Sequence, residues 1–79
     1  MNFQNADQID DFLEAVQKCT GGVYLKSTDG DVFNLKSRLS QYVAIGALLD
    51  DEGDELELFC DRTEDEGYFY KFFADHPEV

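Results

Sequence analysis

Seventy-nine residues make one domain, and a chain this short buries only about 60% of its unfolded surface, so its stability is on the order of a few kcal/mol. Hydrophobic residues at 43% and aromatics at 14% are enough for a packed core and exclude a disordered chain. Eighteen acids against six bases give a net charge of −12, which disfavours nucleic-acid backbones and anionic membranes through long-range repulsion.

In chain order, the first element is a helix. Ile9, Phe12, Leu13 and Val16 recur at helical spacing on one face, with Asp10, Asp11, Glu14 and Gln17 opposite. Asn5 is its expected N-cap, Gln8 completes a capping box, and Asp7 suits the positive end of the helix dipole. Gly21-Gly22 ends it. Val23–Lys26 reads as a strand, and Asp29-Gly30 as a type I′ hairpin turn, which needs positive φ at both residues. Val32-Phe33 is the short return strand. A second helix runs from about Ser37 to Leu49, with Leu39, Tyr42, Val43, Gly46 and Leu49 on one face. Ser37 stands where an N-cap hydroxyl accepts a bond from a free amide of the first turn.

An acidic turn, 50–54, follows. Glu55–Cys60 then alternates as a strand, with Leu56, Leu58 and Cys60 on one side and Glu55, Glu57 and Phe59 on the other. Thr63-x-x-Glu66 reads as a capping box opening a third helix that carries Phe69, Phe72 and Phe73, and Pro77 closes it. Three helices and a small antiparallel sheet share one core when the helices lie on one sheet face, so the expected class is an α+β two-layer sandwich in a single domain, 1–79.

The charge is uneven. From Val23 to Ala47 there are three bases and two acids; from Leu48 to Val79 there are twelve acids and two bases. No apolar run approaches a membrane span and the N-terminus does not read as a signal peptide. Cys19 and Cys60 lack metal-ligand spacing and read as core thiols of a cytoplasmic protein. Asp50, Asp51, Glu52 and Asp54 are oxygen donors, but Gly53 is out of register for a calcium loop, so no metal is expected. The only histidine, His76, reads as an exposed residue near the C-terminus. With no credible catalytic constellation and no phosphate-cradling glycine loop, neither an enzyme nor a cofactor is expected.

The run Val32-Phe33-Asn34-Leu35-Lys36-Ser37 resembles the junction between a strand and the second helix in HPr, the small phosphocarrier of the bacterial sugar phosphotransferase system. There a Val-Asn-Leu-Lys-Ser run leads into the helix, and in Gram-positive members its serine is the regulatory phosphorylation site. The order of elements is similar from about Asn5 to Phe73, including Val23-Tyr24-Leu25, the Asp29-Gly30 hairpin, a Gly-Asp turn before Leu56 and Leu58, and the acid-rich Glu64-Asp65-Glu66. The resemblance implies an HPr-like open-faced sandwich whose first strand is truncated to Met1–Gln4. It also implies that Ser37 is a candidate phosphorylation site, and that Lys36, Arg38, Leu39 and Tyr42 form a partner-binding surface.

The resemblance fails at the active site. HPr carries Gly-[Ile/Leu]-His-Ala-Arg-Pro at the start of its first helix. Here Asn5-Ala6-Asp7-Gln8 falls on His-Ala-Arg-Pro. Asn5 has no nucleophilic ring nitrogen, and Asp7 puts a negative charge where a guanidinium would hold phosphate. Asn5 and Asp7 are therefore degenerate active-site positions. The reading is a regulatory or partner-binding domain of the phosphotransferase-system type, without phosphocarrier activity. Its alternatives are an acidic decoy that occupies a basic nucleic-acid-binding surface, or a working carrier if the register is shifted. The expected partner is a protein, not nucleic acid or membrane. A weak homodimer through the edge strand Glu55–Cys60 is also expected, because a strand lacking its neighbour invites another.

Overall fold

The computed structural model describes residues 1–50, 53 and 55–79. Its elements are α1 (Ala6–Lys18), β1 (Val23–Lys26), β2 (Val32–Asn34), α2 (Arg38–Leu48), β3 (Glu57–Cys60), a 3-10 turn (Thr63–Asp65) and α3 (Glu66–Asp75). The three strands form one antiparallel sheet in the order β2-β1-β3. The α+β reading therefore holds, with three helices and a three-stranded sheet. The acidic turn expected over 50–54 falls largely on 51, 52 and 54, outside the described residues.

Pairing decides which side chains share a face. Val23 lies opposite Cys60 and Leu25 opposite Leu58, and these four turn toward the helices. Tyr24 opposite Phe59 and Lys26 opposite Glu57 line the bare side, where the Lys26 ammonium stands 4.4 Å from the Phe59 ring centre. The expected alternation is present, but β3 starts at Glu57, two residues later than expected. Leu56 is held in a turn by its N–H bond to the Gly53 carbonyl at 3.2 Å. Gly53 is buried there, and a Cβ would meet the Leu48 carbonyl oxygen at 2.5 Å.

The core is aromatic. Phe12 is fully buried and its ring lies 5.2 Å from Phe3, 5.6 Å from Phe69 and 5.5 Å from Phe72. Phe3 also stacks on Phe72 at 5.8 Å. Met1–Gln4 is thus not a shortened strand: it lies across the helix layer, anchored by Phe3 and by the Met1 amino group, which donates to the Gly53 carbonyl at 2.9 Å.

Three local expectations are corrected. The hairpin is not type I′, because Gly30 alone has positive φ, at 94°. Gly30 N–H bonds the Ser27 carbonyl at 3.2 Å and Ser27 N–H bonds that of Asp31 at 2.9 Å. The loop thus has three residues and needs left-handed geometry only at its last one. Asn5 does cap α1 through its bond from Gln8 N–H at 3.0 Å, but the Gln8 side chain accepts from Gln4 N–H at 2.7 Å, one residue before the box. Thr63 and Glu66 form no capping box. Thr63 lies inside the 3-10 turn, and α3 begins at Glu66 without a side-chain cap.

The carboxylate expected near that cap is used elsewhere. Asp65 is buried, and it accepts from Thr20 N–H at 3.1 Å, Gly21 N–H at 2.9 Å and the Thr20 hydroxyl at 3.3 Å. It satisfies backbone donors where the chain leaves α1, a place where unpaired buried amides are costly. The Gly21 bond leads the causes that hold its carboxyl below the usual range.

Candidate functional site

An amphipathic helix ordinarily turns its apolar face inward. α2 does not. Ala44 and Leu48 are its buried side chains, with Ile45 and Ala47 partly covered. Four further apolar residues point out: Leu39 is 80% exposed, Tyr42 66%, Val43 62% and Leu49 51%. Gly46 continues this stripe, and nothing lies within 4 Å of where its Cβ would be. Its inward side is formed by Ala44, Ile45, Ala47 and Leu48, while a second apolar set stays in solvent. Contiguous exposed apolar surface of this kind marks interaction sites.

The junction leading into α2 is held by Asn34. Its side-chain oxygen accepts from Lys36 N–H at 2.9 Å, an Asx turn, and its carbonyl accepts from Ser37 N–H at 3.1 Å. Ser37 is at the N-cap position with extended backbone, but its hydroxyl makes no capping bond. The Gln41 side chain instead donates to the Leu35 carbonyl at 3.2 Å. Lys36 is tethered: its Nζ donates to the Cys19 carbonyl at the end of α1, at 2.7 Å. Arg38 is exposed beside the apolar stripe.

Of the residues singled out from sequence, Lys36, Ser37, Arg38, Leu39 and Tyr42 lie together at the start of α2. Asn5 and Asp7 do not join them. Lys36 reaches the C-terminal end of α1, whereas Asn5 and Asp7 stand at its start, about 20 Å away along a helix of 1.5 Å rise per residue. Asn5 is occupied as a cap and Asp7 is exposed.

His76 departs from its expected exposure. Its ring is 4.9 Å from Phe72, its side chain is 18% exposed, and Nε2 lies 2.8 Å from an Asp11 carboxylate oxygen. The Asp11 bond leads the causes that raise its pKa, opposed by burial and aided by Glu78. Glu78 also accepts from the Gln8 side chain at 2.8 Å, which ties the end of the chain to the start of α1. Neither thiol is activated. Burial is the first cause that raises both, and Cys60 is pushed up to about 11. Among the described residues no cluster of metal-ligating side chains forms and no helix is long and apolar enough to cross a membrane. Comparison with protein-family models, with curated proteins and with solved structures finds no match.

Proposed function

We propose that this chain is a protein-binding domain of the HPr type, without phosphocarrier chemistry, and that the outward apolar stripe of α2 is its working surface. The observation that carries the reading is the exposure of Leu39, Tyr42 and Val43 on one helix face. Nothing in the fold of the described residues covers them. Arg38 at the edge of the stripe supplies charge selectivity, and Ser37 sits where added phosphate would lie against the first amides of α2.

The order of elements supports kinship with HPr, while the β3 edge, bare where HPr carries its first strand, departs from it. The use of Asn5 as a cap, and the exposed carboxylate of Asp7 beside it, argue against phosphoryl transfer at that helix start. The protein is read as cytoplasmic, with no nucleic-acid partner.

Two measurements test this. With phosphoenolpyruvate and the first enzyme of the phosphotransferase system, the chain is expected to stay unlabelled, and acid-labile phosphohistidine would overturn the reading. Leu39→Asp and Tyr42→Ala are expected to keep the melting temperature while abolishing capture of a partner by photocrosslinkers placed at Val43. An unchanged crosslinking pattern would remove α2 as the binding surface.

A further inference from the structure

A second surface, away from α2, has the form of a strand-docking site. Asp61 N–H donates to the Gly22 carbonyl at 3.0 Å, and the same register pairs Phe59 with Tyr24 and Glu57 with Lys26. Antiparallel ladders alternate their bonds, so Glu57, Phe59 and Asp61 direct their backbone groups to β1, and Leu58 and Cys60 direct theirs to the open side. β3 is an outer strand of the sheet, and no backbone bond from another described element reaches that side.

Beside this edge runs an open groove of about 260 Å³ between β3 and α3, lined by Leu58, Cys60, Phe69, Phe73, Tyr70 and Glu66. Its floor is apolar and uncharged. The Cys60 thiol stays protonated because of burial first, with the negative field of the Glu66, Asp65 and Asp61 carboxylates adding to it. An added strand about 4.8 Å from β3 would lay alternate side chains into this groove and the others along the bare sheet face.

Charge selects the occupant. Glu57 and Asp61 flank the open edge and Glu66 lines the groove wall, within a stretch that carries twelve acids and two bases from Leu48 onward. A second copy would bring its own Glu57 and Asp61 into the same seam, where like charges oppose pairing. An extended segment alternating apolar and basic residues meets both demands: apolar side chains against Phe69 and Phe73, and cations beside Glu57 and Asp61.

We infer that the open edge of β3 and the groove beside α3 dock an extended, basic segment of another protein as a fourth strand of the sheet. The main-chain bonds to Leu58 and Cys60 supply affinity, and the groove and acidic rim supply selectivity. The site is separate from the α2 stripe.

The probe is a short, end-blocked peptide of alternating valine and lysine, titrated into the isotope-labelled protein and followed by NMR. The expected result is saturable shifts of the Leu58 and Cys60 amides and of the Phe69 and Phe73 rings, weakening as salt rises. The same peptide N-methylated on the amides that face β3 is expected to bind at least about tenfold more weakly, since one or two main-chain bonds are lost. A glutamate-for-lysine peptide is expected not to bind. Equal binding of the N-methylated peptide would reduce the effect to charge alone and overturn the inference. So would shifts confined to α2, or no binding by the lysine peptide. Shifts at Leu58 and Cys60 that track protein concentration and strengthen with salt, with no response to peptide, would assign the edge to a second copy instead.

Discussion

Phe3→Ala removes the ring by which Met1–Gln4 is fastened to the helix layer. Phe3 is 3% exposed and contacts Phe12 edge-on and Phe72 in a stack. Deleting a buried phenylalanine costs about 3–5 kcal/mol, the lost transfer energy plus the cavity left behind. A chain of this length has only about 4–5 kcal/mol in total, so the substitution consumes most of it. In urea, with a slope of about 1 kcal/mol/M for so small a domain, the midpoint falls by roughly 3 M or more. Phe3→Leu keeps much of the volume and is expected to lose only about 1 kcal/mol. A double-mutant cycle between Phe3 and Phe72 should return about 1 kcal/mol of coupling for the stacked pair. If Phe3→Ala costs less than about 1 kcal/mol with an unchanged slope, the segment is not docked in solution, and the aromatic core ends at Phe12.

Three other outcomes are expected. Ser37→Ala is near neutral, within about 0.5 kcal/mol in thermal unfolding, because the hydroxyl caps nothing; a loss of 1–2 kcal/mol, usual for a working N-cap, would refute the geometry. Asp65 has a lowered carboxyl pKa, so its contribution is present above its ordinary 3.8 and is lost as pH falls through the lower folded value. Asp65→Asn should lower the melting temperature at neutral pH and flatten its decline in acid, and an unchanged acid profile would count against the role. His76 has a raised pKa, so its pairing with Asp11 stabilises fully below 6.5 and is lost as pH rises through the folded value. Asp11→Asn should shrink that step in the melting temperature between mildly acidic and alkaline buffer, leaving the part that Glu78 supports, whereas an undiminished step would assign it to another group.

Local pattern carried the elements well and the tertiary placements poorly. Ile9, Phe12 and Val16 mark the buried stripe of α1, and the alternation of Leu58, Phe59 and Cys60 marks the two faces of β3, because both signals are periodic along a single segment. The direction of α2 was not legible. Leu39, Tyr42 and Val43 on one side and Ala44, Ile45 and Leu48 on the other are all apolar, so periodicity alone does not say which side meets the sheet. Phe3 lies outside any repeating pattern, and no local signal marks it as core. The Thr63-x-x-Glu66 pattern was misleading for a physical reason. Asp65 bonds Thr20 and Gly21, more than forty residues earlier, and a contact that distant leaves no trace in the spacing around it. Leu39, Tyr42, Val43, Gly46 and Leu49 were legible as one helix face, but that this face stays in solvent, and the engagement of Lys36 by Cys19, needed the fold.

The buried carboxylate of Asp65 also bears on the order of assembly. The exit of α1 is closed by a residue just ahead of α3, so the first half of the chain cannot complete its own backbone bonding as it forms. A nascent chain emerging only as far as β2 would leave the amides of Thr20 and Gly21 open to water. The α1–β1 connection would then be secured late, when the last third arrives. Contacts so distant along the chain slow folding relative to a bundle of local helices. Asp65 is accordingly expected to act late, with its substitution mainly speeding unfolding and leaving the folding rate little changed.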